Sequence, residues 1–120
     1  MRRLLLPLAL LVPAPALAHD SAKLSSEADQ ALECAMWAAT VAGAIEDPEL
    51  VTAFGYAMTY WIGRFEGMTG QHFDDFATEE YVNKLQPRFE DLRQRCAPEM
   101  EEMGGRMQNW GNRLQAAPSA

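Results

Sequence analysis

Histidine, cysteine and basic residues are all scarce in this chain of 120 residues. It contains two histidines, two cysteines and ten Lys or Arg residues, against 17 Asp or Glu residues. So few cysteines exclude a dense disulfide framework and a four-cysteine zinc site. The formal charge of −7 argues against nucleic-acid binding, because affinity for the phosphate backbone comes largely from Lys and Arg. The length fits one small domain.

Long apolar runs are absent except at the amino terminus. Arg2 and Arg3 precede an apolar run over residues 4–12, and Ala16-Leu17-Ala18 forms a small-x-small cleavage site. This pattern predicts a signal peptide over residues 1–18. The run is too short to cross a bilayer comfortably, so we expect no stable membrane insertion. We therefore predict a periplasmic protein with a formal charge of −9 after loss of both arginines, which favours basic partners.

Helical periodicity dominates the rest of the chain. Apolar residues recur at intervals of three and four from Ala28 to Ala42, from Leu50 to Met68, and again from Tyr81 onward. No alternating strand pattern or internal repeat is present. These stripes predict an all-α fold, a compact bundle of four or five helices over residues 25–115. Residues 19–24 and 116–120 are expected to be a flexible mature amino terminus and a flexible tail.

Polar and proline residues mark the expected helix boundaries. Ser25 or Ser26 can cap the first helix, Asp47 the second and Thr78 the third. Pro87 predicts a kink or break near Gln86, and we expect a last helix to open at Pro98. Three glycines also share one stripe of the second helix, which suggests close backbone contact with the first. They are Gly55, Gly63 and Gly67.

The two cysteines lie on apolar helical faces, with Cys34 in the predicted first helix and Cys96 at the end of the predicted third helix. In an oxidising compartment such a pair is expected to form a disulfide. In the chain-entropy model, closing a loop of this length stabilises the fold by about 4 kcal/mol. We predict a structural disulfide, because the cysteines are too far apart in sequence for a redox-active Cys-x-x-Cys motif.

Chemistry-bearing clusters are few. His19 would become the amino-terminal residue, where its amine and imidazole could chelate Cu(II) and resemble a copper histidine brace. His72 with Asp74 and Asp75 could bind a cation or do acid–base work, but a solvated turn anchored by aromatic residues is the more ordinary interpretation. No nucleophile motif or phosphate loop is present. We predict no catalytic site and no cofactor.

A methionine stripe follows Cys96. Met100, Met103, Met107 and Trp110 recur at intervals of three and four. Such a soft, adaptable apolar surface can bind varied partners, and we predict a possible interaction surface there. The alternative is an amphipathic helix that packs this face on the bundle.

Three resemblances follow from these residues. Glu33-Cys34-Ala35, the segment at residues 60–67 and the late Cys96 resemble small, uncharacterised proteobacterial secreted proteins. In design, a small helical chain with one disulfide between distant helices, the protein is similar to HdeA-type periplasmic acid chaperones. It is also similar in type to periplasmic immunity proteins against secreted cell-wall amidases.

The leading hypothesis is a non-enzymatic periplasmic binding or chaperone-like protein with a protein partner. An immunity-type inhibitor of a secreted effector is the alternative, and copper binding through His19 is a distant third.

Overall fold

The structure is a computed structural model that describes the backbone of residues 17–118 and the side chains of residues 26–118. These residues form helices α1 (Leu17–Ala44), α2 (Pro48–Thr69), α3 (Glu79–Leu85) and α4 (Phe89–Ala116). Two 3-10 turns lie at Phe73–Asp75 and Gln86–Arg88. The described part of the chain contains no strand, so the all-α prediction is confirmed. Residues 1–16, which include most of the predicted signal peptide, the His19 side chain and residues 119–120 lie outside this description.

The predicted starts of α2 and α3 are confirmed. Asp47 caps α2, where its side chain accepts a hydrogen bond from the backbone N–H of Glu49 at 2.9 Å. Gly70 ends α2 with a φ of 67° and donates its N–H to the carbonyl of Glu66 at 2.8 Å. Thr78 caps α3 through the N–H of Tyr81 at 3.2 Å. Each boundary depends on a local preference for a cap or for left-handed backbone.

Helix α1 begins earlier than the expected serine cap. Its first residue is Leu17, so Ser25 and Ser26 lie inside the helix. The prediction that one of them starts the helix is wrong. The acidic and alanine-rich residues around them are compatible with helix, and a serine is tolerated in a helix interior when no other signal stops the chain.

Helix α4 is continuous through Pro98, which corrects the prediction that this residue opens a separate helix. The break instead falls at the 3-10 turn of Gln86–Arg88, as Pro87 predicted. Both Pro98 and Gln94 are exposed. Water can therefore satisfy the Gln94 carbonyl, which the missing proline N–H leaves without a helical donor. Cys96 consequently lies within α4 rather than at the end of a third helix.

The core lies mainly between α1 and α2. Trp37 on α1 contacts Phe54 and Trp61 on α2, with ring centroids 5.4 and 6.4 Å apart. Four alanines of α1 are buried beside it, which lets large side chains of α2 pack closely. The buried core residues of α3 and α4 are Leu85, Leu92 and Cys96. Trp37 and Trp61 are both buried in this core.

The glycine stripe of α2 is exposed and does not mediate helix packing. Gly55, Gly63 and Gly67 are open to solvent, and a Cβ added at any of them would meet no atom within 4 Å. The predicted close backbone contact is therefore wrong. Ala57 is the small residue of α2 that is fully buried, because it shares the core-facing stripe with Phe54 and Trp61.

A disulfide and an ion-pair cluster hold α4 against α1. Cys34 and Cys96 are bonded, with their Cα atoms 5.6 Å apart. Beside them, Glu33 of α1 accepts hydrogen bonds from Arg95 at 2.6 Å and from Arg88 at 3.1 Å. The predicted disulfide pairing is confirmed. These contacts fix the position of the amino-terminal half of α4, from which its carboxy-terminal half continues.

Candidate binding groove between α2 and α4

The predicted methionine stripe lies on the face of α4 that turns toward α2. Met100 and Met103 are half-buried against the core, whereas Met107 and Trp110 are exposed. Trp110 exposes 44% of its surface. The stripe therefore divides into an inner part that packs on the bundle and an outer part that does not. The packing interpretation applies to Met100 and Met103, whereas an interaction surface at Met107 and Trp110 stays a prediction.

Two tyrosines of α2 form the opposite wall of this groove. Tyr56 is 61% exposed, and Tyr60 is half-buried one turn later. Together with the outer part of the stripe they enclose a hollow of about 580 Å³. Leu114 extends this apolar surface and is 77% exposed. Tyr56 and Tyr60 were missed from the sequence, although they lie four residues apart and off the core stripe of α2, whereas Leu114 continues the spacing of the methionine stripe.

Two further hollows continue the first along α4. One, of about 380 Å³, lies beside Ala53 and Gly104 and shares Tyr56, Met103 and Met107 with it. The other, of about 430 Å³, lies beside Pro98 and shares Tyr60, Met103 and Arg106. These neighbouring hollows share wall residues along one surface between α2 and α4. We call this surface the α2–α4 groove.

Arginines line one rim of the α2–α4 groove. Arg64 pairs with Glu99 at 3.1 Å and lies over the Tyr60 ring at 5.7 Å. Arg106 lies over the Trp110 ring, with its guanidinium carbon 5.0 Å from the centroid. Stacking of a guanidinium on an aromatic face is favourable and holds the indole in a defined orientation. Glu99, Glu101 and Glu102 also line these hollows, so the rim of the groove carries both acidic and basic groups.

The ion-pair cluster around Glu33 joins α1 to Arg95 of α4 and to Arg88 in the preceding turn. Partial burial alone would raise the pKa of the Glu33 carboxyl, but hydrogen bonds from Arg95 and Arg88 outweigh burial and lower it. Its side chain is only 15% exposed. Burial, reinforced by the charge of Glu33, raises the pKa of the neighbouring Tyr81. The carboxylate form of Glu33 is therefore the form that the fold stabilises.

The second predicted cluster is a turn at the surface. His72 is exposed, and Asp74 and Asp75 point into solvent from the 3-10 turn that follows it. Phe73 is buried, and Phe76 packs on Phe65 with centroids 5.2 Å apart. Within residues 26–118, no group of three or more His, Cys, Asp or Glu side chains could hold a metal ion. The structure brings His72 to no other candidate ligand set in that range.

Among the described helices, none is sufficiently long and apolar to span a membrane.

Comparison with protein-family models, with curated proteins and with solved structures returned no match. The α2–α4 groove is therefore the feature from which a function can be inferred.

Proposed function

We propose that the protein is a non-enzymatic, chaperone-like binding protein of the periplasm that holds apolar segments of other proteins in the α2–α4 groove. The observation that carries this proposal is the exposed apolar lining of that groove. Scattered exposed apolar residues are ordinary, but a contiguous apolar patch with a polar rim is typical of an interaction site.

The composition of the groove favours a protein partner over a small molecule. Its lining combines tyrosine, tryptophan, methionine and arginine, the residue types that are enriched at the centres of protein interfaces. The groove is also open along its length, whereas small-molecule sites usually bury most of their ligand. An extended or helical segment laid beside α4 would fit this shape.

The methionines suit the groove to binding several different client proteins rather than one. An unbranched thioether side chain adapts to irregular surfaces, so Met103 and Met107 can contact different apolar side chains at little cost in strain. Tyr56 and Trp110 supply rigid aromatic contact area beside them. A surface of this kind is suited to several client proteins.

The proposed compartment follows from the leader over residues 1–18, with cleavage near Ala18. A disulfide that closes a long loop in a small domain agrees with an oxidising periplasm.

The fold is proposed to be a compact bundle of four or five helices, in which α3 and the short turns are the smallest helical elements.

Site-specific photocrosslinking in cells tests the proposal. A photoreactive residue at Met107 should crosslink to other envelope proteins, and the same residue at exposed Asn83 on α3 should not. Equal yields at the two positions, or no product at Met107, would refute it. A single, stoichiometric product would instead favour the immunity-type inhibitor.

Suppression of aggregation provides a second measurement. The purified protein should keep unrelated unfolded periplasmic proteins soluble at neutral pH and at about pH 2–3, where the carboxylates are protonated. Trp110→Ala should weaken that effect, while Asn83→Ala should leave it unchanged. An unaffected Trp110→Ala variant would exclude the groove as the client site.

A further inference from the structure

A second exposed apolar patch lies at the start of α2. Leu50 is 48% and Val51 is 38% exposed, although both belong to the first turn and a half of a well-capped helix. Glu46 and Glu49 flank them and are themselves exposed. Within residues 26–118, neither glutamate forms an ion pair. We call these four residues the α2 entry patch.

The outer end of α4 has the opposite charge. Trp110 and Leu114 are exposed there, and Arg106 and Arg113 line the hollows beside them. In the described range, the arginines at 64, 88, 93 and 95 all pair with a glutamate, but Arg106 and Arg113 pair with none. We call these four residues the α4 end patch.

The two patches are chemically complementary. Each has two large exposed apolar residues flanked by two charges that are unpaired within residues 26–118, acidic on the α2 entry patch and basic on the α4 end patch. Together with Tyr56 and Met107 of the groove, they contain every large hydrophobic residue exposed among the described side chains. Apolar contact and opposite charge would therefore both favour bringing these patches together.

We propose that a second copy of this chain covers both patches, so that the α2 entry patch of each copy packs on the α4 end patch of the other. A twofold axis makes this contact twice, because each copy contributes one patch of each kind. A foreign partner would need to carry both an acidic and a basic apolar patch to satisfy the same surface. The chain itself already carries both.

The homodimer goes beyond the proposed function and can fail separately from it. Dimerisation is measured with the purified protein alone, whereas client binding is measured as capture of other proteins. If the homodimer and the proposed client binding are both correct, the second copy and a client compete for Trp110 and Leu114.

The test is a charge swap followed by sedimentation equilibrium from about 1 to 300 μM, the range that covers weak and moderate dimers. Wild-type protein should approach twice the monomer mass. Arg113→Glu and Glu49→Arg should each weaken dimerisation at least tenfold, because each places like charges opposite each other. Mixing these two variants should restore a dimer, since both contacts then join Glu to Arg. Lys84→Glu, an exposed charge reversal on α3, is the matched control and should dimerise like wild type.

Glu46→Arg provides a second acidic-patch variant. Glu46 precedes α2, so its replacement leaves the charge of the first helical turn unchanged. Far-UV circular dichroism establishes that every variant is folded. A wild-type protein that stays monomeric throughout, single variants that dimerise normally, or a mixture that does not recover would each overturn the proposal.

Discussion

Replacing Trp61 and Trp110 with alanine, one at a time, compares two tryptophans in very different surroundings. Trp61 exposes 1% of its surface and packs on Trp37, whereas Trp110 exposes 44% and contacts Arg106 at the groove edge. Both substitutions lie within helices, where alanine is a favourable residue. The difference between them therefore measures burial.

The magnitude for Trp61 follows from its buried surface. A fully buried tryptophan removes about 200 Å² from water, which at about 25 cal/mol per Å² contributes about 5 kcal/mol. Its indole N–H is buried without a hydrogen-bond partner, which offsets about 1–2 kcal/mol of that gain. Trp61→Ala should therefore lower the free energy of unfolding by about 3–4 kcal/mol, within the usual range for such truncations.

Trp110 should be less sensitive. Little more than half of its surface is covered, so the same conversion gives about 2–3 kcal/mol. The higher helix propensity of alanine applies equally to both substitutions and does not alter the comparison. We expect a loss of about 2–3 kcal/mol for Trp110→Ala.

The assay is urea unfolding at neutral pH, followed by far-UV circular dichroism so that the signal does not depend on the replaced indole. The disulfide stays intact in both variants. Equal losses of stability at the two positions would show that the outer part of α4 is packed as firmly as the core, and would refute the groove as described.

Three further predictions concern the disulfide, the ion-pair cluster and the glycines. Thiol labelling of the unreduced, denatured protein should find neither Cys34 nor Cys96 free, and replacing both with alanine should cost about 2–5 kcal/mol; quantitative labelling would contradict the pairing. Glu33→Gln should lower stability at neutral pH by about 1–3 kcal/mol, because it removes a charged hydrogen-bond acceptor. The pKa of Glu33 is lowered in the fold, so its stabilisation is present above the unfolded pKa and is lost as the pH falls through the folded value. The free energy of unfolding, measured at several pH values from 7 to about 2, should show that loss in wild type and not in Glu33→Gln. The same pH dependence in both proteins would refute the role given to Glu33. In thermal unfolding, Gly63→Ala should be more stable than wild type by about 0.5–1 kcal/mol, and Gly70→Ala should be less stable by about 1 kcal/mol. The two differ because only Gly70 has a positive φ. The reverse order of stability would show that Gly63 makes a close contact.

Sequence patterns located the main elements because the signals are local. Asp47 and Thr78 cap helices with their own side chains, and Pro87 interrupts a helix wherever the tertiary fold places it. The apolar stripe through Trp61 faces the core for the same reason, since an amphipathic helix can bury only one side. The pairing of Cys34 with Cys96 was predictable because no other cysteine is present.

Interpretations that depended on a neighbouring element were less secure. A glycine stripe indicates close packing only if another helix lies over it, and nothing lies over Gly63 or Gly67. Pro98 lies within a helix because its exposed position lets water satisfy the carbonyl that the proline leaves free. Spacing along the chain contains neither piece of information.

The candidate site divides in the same way. The methionine stripe of α4 is visible in the sequence, because residues three and four apart share a helix face. Tyr56 and Tyr60 line the groove opposite this stripe only because α2 lies beside α4. That arrangement is set by contacts between residues far apart in sequence. Glu33 bonds to Arg88 and Arg95, which are 55 and 62 residues away. Local patterns therefore identify the caps of α2 and α3 and the available disulfide, whereas the exposed faces that form the groove depend on how helices distant in sequence pack together.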